Sequence, residues 1–95
     1  MISLKLFWER YPDAERPLRQ WYKMAIHAHW SNLADVRRVY PHAASVRARS
    51  GETLTVFNIG ENNYRLITRI RYDYLLVNVR AVLTHEEYDK GQWRR

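Results

Sequence analysis

The fold is decided by the stretch Tyr64-Arg65-Leu66-Ile67-Thr68-Arg69-Ile70-Arg71-Tyr72, which is followed by Asp73-Tyr74 and then by Leu75 to Leu83. Both runs are rich in β-branched and aromatic residues, and a tight polar connection separates them, so they predict an antiparallel hairpin. Because side chains alternate along a strand, the three arginines of the first run share one face, while Leu66 and Ile70 point to the core.

Further strand signals lie upstream of this hairpin. Thr53 to Ile59 predicts another strand, and Gly60-Glu61-Asn62-Asn63 supplies the turn that joins it to Tyr64. Ala43 to Arg49 is a candidate for one more strand, turned back by Ser50-Gly51-Glu52. The sequence therefore predicts an antiparallel meander in its second half.

The first forty residues predict helices. Their first apolar stripe (Leu4, Phe7, Trp8, Tyr11) has helical spacing and is stopped by Pro12. Asp13 is a candidate N-cap for a second helix, whose apolar stripe comprises Leu18, Trp21, Tyr22, Ala25 and either Ile26 or Ala28. A third, shorter helix is expected from Leu33 to Tyr40, capped by Asn32 and ended by Pro41. Helices packed on a small antiparallel sheet make an α+β fold, expected to form a single domain over residues 1–95.

Composition limits the possible functions. The 95 residues include no cysteine, so disulfides, thiol catalysis and sulfur-ligated metals are excluded. No apolar run approaches the length of a membrane span, and the N-terminus lacks the pattern of a signal peptide, so a cytoplasmic protein is expected. Sixteen Lys and Arg against ten Asp and Glu give a net charge of +6, and thirteen of the sixteen are Arg. This excess favours a polyanionic partner, either nucleic acid or an acidic protein segment.

The cations are concentrated on one predicted sheet face, which carries Arg65, Arg69 and Arg71. On the next strand Leu76, Asn78, Arg80 and Val82 are expected to share a face, which lets Arg80 join the arginines. Such faces are often merely solvated. Arginines with no carboxylate among them repel one another, however, and this favours a phosphate-binding face.

Three titratable residues follow the last predicted strand. His85, Tyr88 and Asp89 are three and four residues apart, which is the spacing of one helical turn. An imidazole that titrates near neutrality can donate or accept a proton, Tyr88 could transfer a proton or stack on a base, and Asp89 could orient His85 or cap the chain end. Spacing alone slightly favours a structural role for this group over a catalytic one.

The remaining histidine motif is a weak candidate for a metal site. His27 and His29 lie two residues apart, so on a helix they point to different faces, and only His42 is a further histidine nearby. No metal and no cofactor are therefore expected.

Two boxes carry a family resemblance. The run from Val56-Phe57-Asn58-Ile59-Gly60 to Tyr64-Arg65-Leu66-Ile67 and the run Val82-Leu83-Thr84-His85-Glu86-Glu87-Tyr88-Asp89-Lys90 resemble the HigB-type toxins of type II toxin–antitoxin systems. The upstream segments Phe7 to Glu15, Leu18 to Lys23 and Val39-Tyr40-Pro41 are similar to that family as well. The likeness extends over nearly the whole chain. Members often begin with a strand and a longer first helix, whereas Met1 to Phe7 is short here, so either the first strand is very short or the start of this chain differs.

The resemblance implies a RelE-like fold and an mRNA endonuclease that acts on translating ribosomes. It also implies a neutralising antitoxin of the HigA type with a helix-turn-helix. Carried over to this chain, the catalytic candidates are Arg65, Arg80, His85, Tyr88 and Asp89. Arg69 and Arg71 sit where members vary more and are expected to bind RNA, as are Asn58 and Lys90. A non-catalytic RNA-binding module and a protein-docking domain remain the alternatives.

Overall fold

The structure is a computed structural model that describes residues 2–94, with the side chains of residues 4–93. Within these residues, three helices precede a four-stranded sheet and a fourth helix follows it: α1 (Ile2–Arg10), α2 (Glu15–His27), α3 (Leu33–Val39), β1 (Ala44–Arg47), β2 (Thr53–Ile59), β3 (Tyr64–Arg71), β4 (Leu76–Thr84) and α4 (His85–Lys90). Short 3₁₀ turns occupy Pro12–Ala14, Tyr72–Tyr74 and Gln92–Arg94. The sheet is antiparallel throughout in the order β1-β2-β3-β4, so the predicted α+β meander is confirmed. None of the described helices is long and apolar enough to cross a membrane.

The helical half follows the sequence signals with one correction. Helix α1 already begins at Ile2, so no first strand precedes it among residues 2–94, and Met1 lies outside the described residues. Helix α3 begins as predicted at its cap, where the Asn32 side chain accepts a hydrogen bond from the Asp35 backbone N–H. The expected N-cap role of Asp13 is wrong. Ala14 occupies that position, and the Asp13 carboxylate instead accepts a hydrogen bond from the Tyr64 hydroxyl, which joins the helical half to β3.

The predicted strands lie within one or two residues of the observed ones. The turn between β2 and β3 places Gly60, Glu61 and Asn62 at positive φ, a conformation that glycine and asparagine tolerate well. The connection from β3 to β4 ends with Leu75 at φ 53°, so Leu75 closes the turn and β4 begins one residue later than expected.

Strands β3 and β4 contain an irregularity that strand alternation did not predict. Ile67 pairs with Ala81 while Thr68 pairs with Val79, so Arg80 is an extra residue in a β-bulge. The expectation that Val82 shares the face of Arg80 is therefore wrong. Val82 pairs with Leu66 and packs against the main core.

The two faces of the sheet have different environments. The inner face is covered by α1, α2 and α3, and the buried core there includes Leu4, Leu18, Val36, Phe57 and Leu66. The outer face carries a smaller apolar group, which we call the outer cluster. It consists of buried Ala48, Leu54, Val56 and Ile67 with partly buried Ala44, Val46, Ala81, Leu83, Tyr88 and Trp93 against them. The outer face also carries the predicted arginines, so this face positions the candidate site.

Candidate functional site

Helix α4 starts directly at the end of β4, and a capping box fixes its first turn. The Thr84 hydroxyl accepts from the Glu87 backbone N–H, and the Glu87 carboxylate in turn accepts from the Thr84 backbone N–H at 3.0 Å. The His85 backbone N–H also donates to the Asn63 carbonyl at 3.1 Å, which ties α4 to the turn between β2 and β3. His85 is thus the first residue of a helix anchored on two sides.

His85 and Asp89 form a pair one helical turn apart. His85 Nδ1 lies 2.9 Å from Asp89 Oδ2, and the two side chains are 51% and 60% exposed. Of the two roles considered for Asp89, the structure shows the contact that would orient His85. A carboxylate on Nδ1 favours the tautomer with a proton there, which leaves Nε2 as the nitrogen that can accept one.

Arg65 and Tyr88 form a second pair beside the first. The guanidinium carbon of Arg65 lies 5.4 Å from the centroid of the Tyr88 ring, within the range of a cation–π contact. Arg65 Nη1 also donates to the backbone carbonyls of Asn62 and Tyr64, at 2.9 and 3.1 Å. These bonds hold the guanidinium at the end of β3 that faces α4.

Trp93, which no sequence motif indicated, completes the packing of Tyr88. The two rings stack with centroids 5.0 Å apart and planes inclined by 17°, and the Trp93 indole N–H donates to the Tyr88 carbonyl at 2.9 Å. The sequence offers only one indication of this contact, which is that Trp93 follows Tyr88 by five residues and lies just past Gly91, the glycine that ends α4. Trp93 fixes the orientation of the ring that Arg65 contacts.

Two predicted RNA-binding residues border these pairs. Asn58 lies directly across from Arg65 in the register of β2 and β3. Lys90 is in the last turn of α4, where its ammonium lies 3.6 Å from the Glu86 carboxylate. Both residues are therefore placed near the α4 end of the outer face.

Arg69 and Arg80 form a separate group farther along the sheet. Both guanidinium groups contact the same carboxylate oxygen, Oε2 of Glu52, at 3.1 Å from Arg69 Nη1 and 2.5 Å from Arg80 Nη2. The expectation that no carboxylate stands among the arginines is therefore wrong. Glu52 comes from the turn between β1 and β2, which strand alternation within β3 could not reveal.

The electrostatics of Glu52 reflect its two cationic neighbours. Desolvation by burial alone would raise the pKa of this carboxyl. Hydrogen bonds from Ser50 and Arg80, together with the charges of Arg80 and Arg69, outweigh that effect and lower the pKa below its usual range. Glu52 is therefore an anion at neutral pH.

Arg71 lies at the opposite end of β3 from α4. Its guanidinium is 3.4 Å from the Asp73 carboxylate and 4.9 Å from the centroid of the Tyr74 ring. Six residues of strand separate it from Arg65, which corresponds to about 20 Å. The structure thus brings Arg65, His85, Tyr88 and Asp89 together around α4, groups Arg80 with Arg69, and leaves Arg71 apart.

The histidine motif of the helical half shows no further site. His27 is the last residue of α2 and His29 lies in the loop that follows it. Across the described part of the chain, no group of three or more His, Cys, Asp or Glu side chains is placed to hold a metal ion.

Comparison with known proteins identifies the family of this chain. A family model for HigB toxins, described as the RelE-like toxic component of a toxin–antitoxin system, matches residues 14–91. The match spans the second and third helices, the whole sheet and α4, so the chain belongs to the HigB toxin family. It is the toxin of a toxin–antitoxin system, with a RelE-like fold and an antitoxin as its partner. A search among curated proteins finds no significant match.

Proposed function

We propose that this toxin is a metal-independent mRNA endoribonuclease that cleaves messages on translating ribosomes in the cytoplasm. A HigA-type antitoxin with a helix-turn-helix would neutralise it. The observation that carries this proposal is the pairing of Arg65 with Tyr88 and of His85 with Asp89 at one end of a cationic sheet face. A fixed cation, an imidazole, a phenol and a carboxylate are the groups that phosphodiester cleavage needs when the RNA itself supplies the nucleophile.

The proposed reaction is an internal transfer. The 2′-oxygen bonds to the adjacent phosphorus while the bond from phosphorus to the 5′-oxygen breaks, which yields a 2′,3′-cyclic phosphate and a 5′-hydroxyl. One protein group removes the proton from the 2′-hydroxyl, and another delivers a proton to the leaving 5′-oxygen. Arg65 is proposed to stabilise negative charge on the phosphorane oxygens. Arg80, which the family resemblance also assigned to this role, lies with Arg69 farther along the sheet, so we propose no part for it in this step.

The contacts around α4 favour particular roles within this scheme. Asp89 holds Nδ1 of His85, so Nε2 is the atom suited to accept the 2′-hydroxyl proton. The ring of Tyr88 is engaged by Arg65 and Trp93, which favours a role for its hydroxyl as proton donor over a role as stacking platform. Asp89 then acts as a positioning residue rather than as the base itself.

Exposure of the site supports dependence on the ribosome. The side chains of His85 and Asp89 are more than half exposed, so α4 offers no dry pocket of its own. Charge stabilisation is strong only where water is excluded and the reacting groups are already aligned. An mRNA held by the ribosome in a fixed conformation would supply both conditions.

A second candidate function rests on the rest of the outer face. Arg69 and Arg71 lie away from α4, and a cationic face of this extent would bind RNA without any chemistry. In that case the toxin would block translation by occupancy alone.

The test is inducible expression followed by mapping of the 5′ ends of cellular mRNA. Wild type is compared with a His85→Ala/Tyr88→Ala variant and with a His29→Ala/His42→Ala control, which removes two exposed imidazoles outside α4. We expect new 5′-hydroxyl ends inside translated frames with wild type and with the control, and none with the α4 variant. Growth arrest without new ends would support the binding function, and ends that persist in the α4 variant would refute the assignment of the site.

A further inference from the structure

A single carboxylate oxygen holds the two arginines in the middle of the outer face. Oε2 of Glu52 receives both Arg69 and Arg80, while Oε1 accepts a hydrogen bond from the Ser50 hydroxyl at 3.2 Å. The Glu52 side chain is 25% exposed and each arginine side chain is 40% exposed. The two cations therefore converge on an anionic oxygen at a surface that solvent reaches.

The bulge in β4 produces this convergence. Arg80 is the extra residue between Val79 and Ala81, and these two pair with Thr68 and Ile67. Arg80 is thereby presented beside Arg69, which is the next residue along β3. The guanidinium groups of two neighbouring strands thus close on one point.

Two guanidinium groups on one anionic oxygen have the chemistry of a phosphate site. A non-bridging phosphate oxygen accepts the same charge-assisted hydrogen bonds as a carboxylate oxygen, and guanidinium is well suited to both. The position also lies apart from α4. Leu83 pairs with Arg65, and Arg80 lies three residues before Leu83, which corresponds to about 10 Å along β4.

We propose that Arg69 and Arg80 form a binding subsite for a backbone phosphate of single-stranded RNA, and that Glu52 is a built-in competing anion which the RNA displaces. The choice of RNA as ligand rests on the proposed function. Glu52 then sets the affinity of the toxin for RNA without taking part in the chemistry at α4.

The turn that carries Glu52 allows its side chain to leave without unfolding the sheet. The turn is closed by backbone hydrogen bonds from Ala48 N–H to Glu52 O and from Gly51 N–H to Ala48 O. Neither bond involves the Glu52 carboxylate. Gly51 has φ +93° and nothing lies within 4 Å of the place where a Cβ would stand, so the turn has open space around it.

A purely structural role for Glu52 makes a different prediction. If Glu52 only relieves the repulsion between Arg69 and Arg80, its neutralisation should destabilise the fold and leave RNA affinity unchanged or lower. If Glu52 competes with RNA, neutralisation should release two cations for the ligand. RNA affinity and its salt dependence therefore distinguish the two roles.

The experiment measures binding of a short fluorescently labelled single-stranded RNA by anisotropy over a series of salt concentrations. The background is the His85→Ala/Tyr88→Ala variant, so that cleavage does not disturb the equilibrium. Glu52→Gln is compared with Glu9→Gln, a matched control that removes the same charge from an exposed position on α1. Circular dichroism confirms that each variant is folded.

We expect Glu52→Gln to bind about five- to tenfold more tightly at low salt, since two exposed ion pairs no longer compete with the ligand. The slope of log K against log salt should steepen by about 0.7, the value for one more neutralised phosphate on a single strand. Glu9→Gln should change the affinity less than about twofold. Adding Arg69→Gln and Arg80→Gln to Glu52→Gln should remove the gain.

Ser50→Ala gives a milder perturbation of the same contact. It removes the hydrogen bond on Oε1 and should raise affinity by a smaller factor, which provides a second reading if Glu52→Gln proves poorly folded. An affinity of Glu52→Gln equal to that of Glu9→Gln, or a gain that survives loss of both arginines, would overturn the proposal. Mapping of mRNA ends tests the nuclease separately, so cleavage without this gain refutes the subsite alone, and the gain without cleavage refutes the nuclease alone.

Discussion

Replacement of Tyr64 by phenylalanine tests the contact that joins the two halves of the fold. The Tyr64 side chain is 6% exposed, its hydroxyl donates to Asp13 Oδ1 at 2.5 Å, and its ring packs on Phe7 and Tyr11. Phenylalanine keeps the ring contacts and removes only the hydrogen bond. A bond to a charged group contributes about 1.5–3 kcal/mol, and the exposure of Asp13 reduces the loss to roughly 1–2 kcal/mol. For a domain of this size that corresponds to a fall in Tm of roughly 5–15 °C.

The same contact predicts a dependence of stability on alkaline pH. The hydrogen bond to Asp13, together with burial and the nearby charge, raises the pKa of Tyr64 from 10.0 to about 12. The unfolded tyrosine ionises near pH 10 while the folded one stays protonated, so the stabilisation is complete below pH 10 and is lost as the pH rises towards 12. Tyr64→Phe should flatten this decline without abolishing it, because burial also raises the pKa of Tyr40 and Tyr72.

The assay is thermal or urea unfolding at neutral pH and through pH 10–12, with Tyr74→Phe as the control. Tyr74 is 70% exposed, so its replacement should leave both the neutral stability and the alkaline decline unchanged. Equal stability of wild type and Tyr64→Phe, with the same alkaline decline, would refute the argument that the Asp13 contact stabilises the junction.

The remaining predictions concern α4 and one turn. Tyr88→Phe keeps the ring contacts with Arg65 and Trp93 and removes only the hydroxyl. If that hydroxyl donates a proton, end mapping should show roughly 10²–10⁴-fold less cleavage at unchanged Tm. Unchanged cleavage would show that Tyr88 acts through its ring alone. Asp89→Asn removes the carboxylate charge that contacts His85 Nδ1 and should shift the pH profile of cleavage, and an unaltered profile would exclude the positioning role. Thr84→Val removes the capping hydroxyl and should lower the free energy of unfolding by about 1 kcal/mol in urea unfolding. An unchanged free energy would show that the capping box does not stabilise the fold. Leu75→Asn relieves a positive φ that leucine rarely adopts and should raise urea stability by roughly 0.5–1 kcal/mol, and a decrease would contradict this.

The sequence predicted most of the framework because its signals are local. Thr53 to Ile59 became β2 with the predicted bounds, and Asn32 caps α3 as expected. The helical spacing of His85, Tyr88 and Asp89 likewise became one short helix. Strand alternation, caps and turn residues act over a few neighbouring positions, so they can be read without knowledge of the fold.

The contacts that escaped prediction join residues distant in sequence. Glu52 reaches Arg80 across 28 positions, and Asp13 reaches Tyr64 across 51. Asp13 has the residue type and position of an N-cap, and only the packing of β3 beneath the turn assigned it another partner. Such pairings depend on how the elements pack, so periodicity carries no information about them.

The bulge at Arg80 shows how one local departure determines which residues β4 contributes to the outer face. With strict alternation Arg80 and Val82 would point outwards together, and Ala81 and Leu83 would point into the core. The extra residue resets the register, so Val82 packs inwards while Ala81 and Leu83 join the outer cluster beneath Tyr88 and Trp93. The apolar seat of α4 and the convergence of Arg80 with Arg69 therefore have a single cause. Bulges commonly redirect side chains next to functional sites, and here the bulge lets one strand support the helix that carries His85 and also present Arg80 beside Arg69 on the outer face.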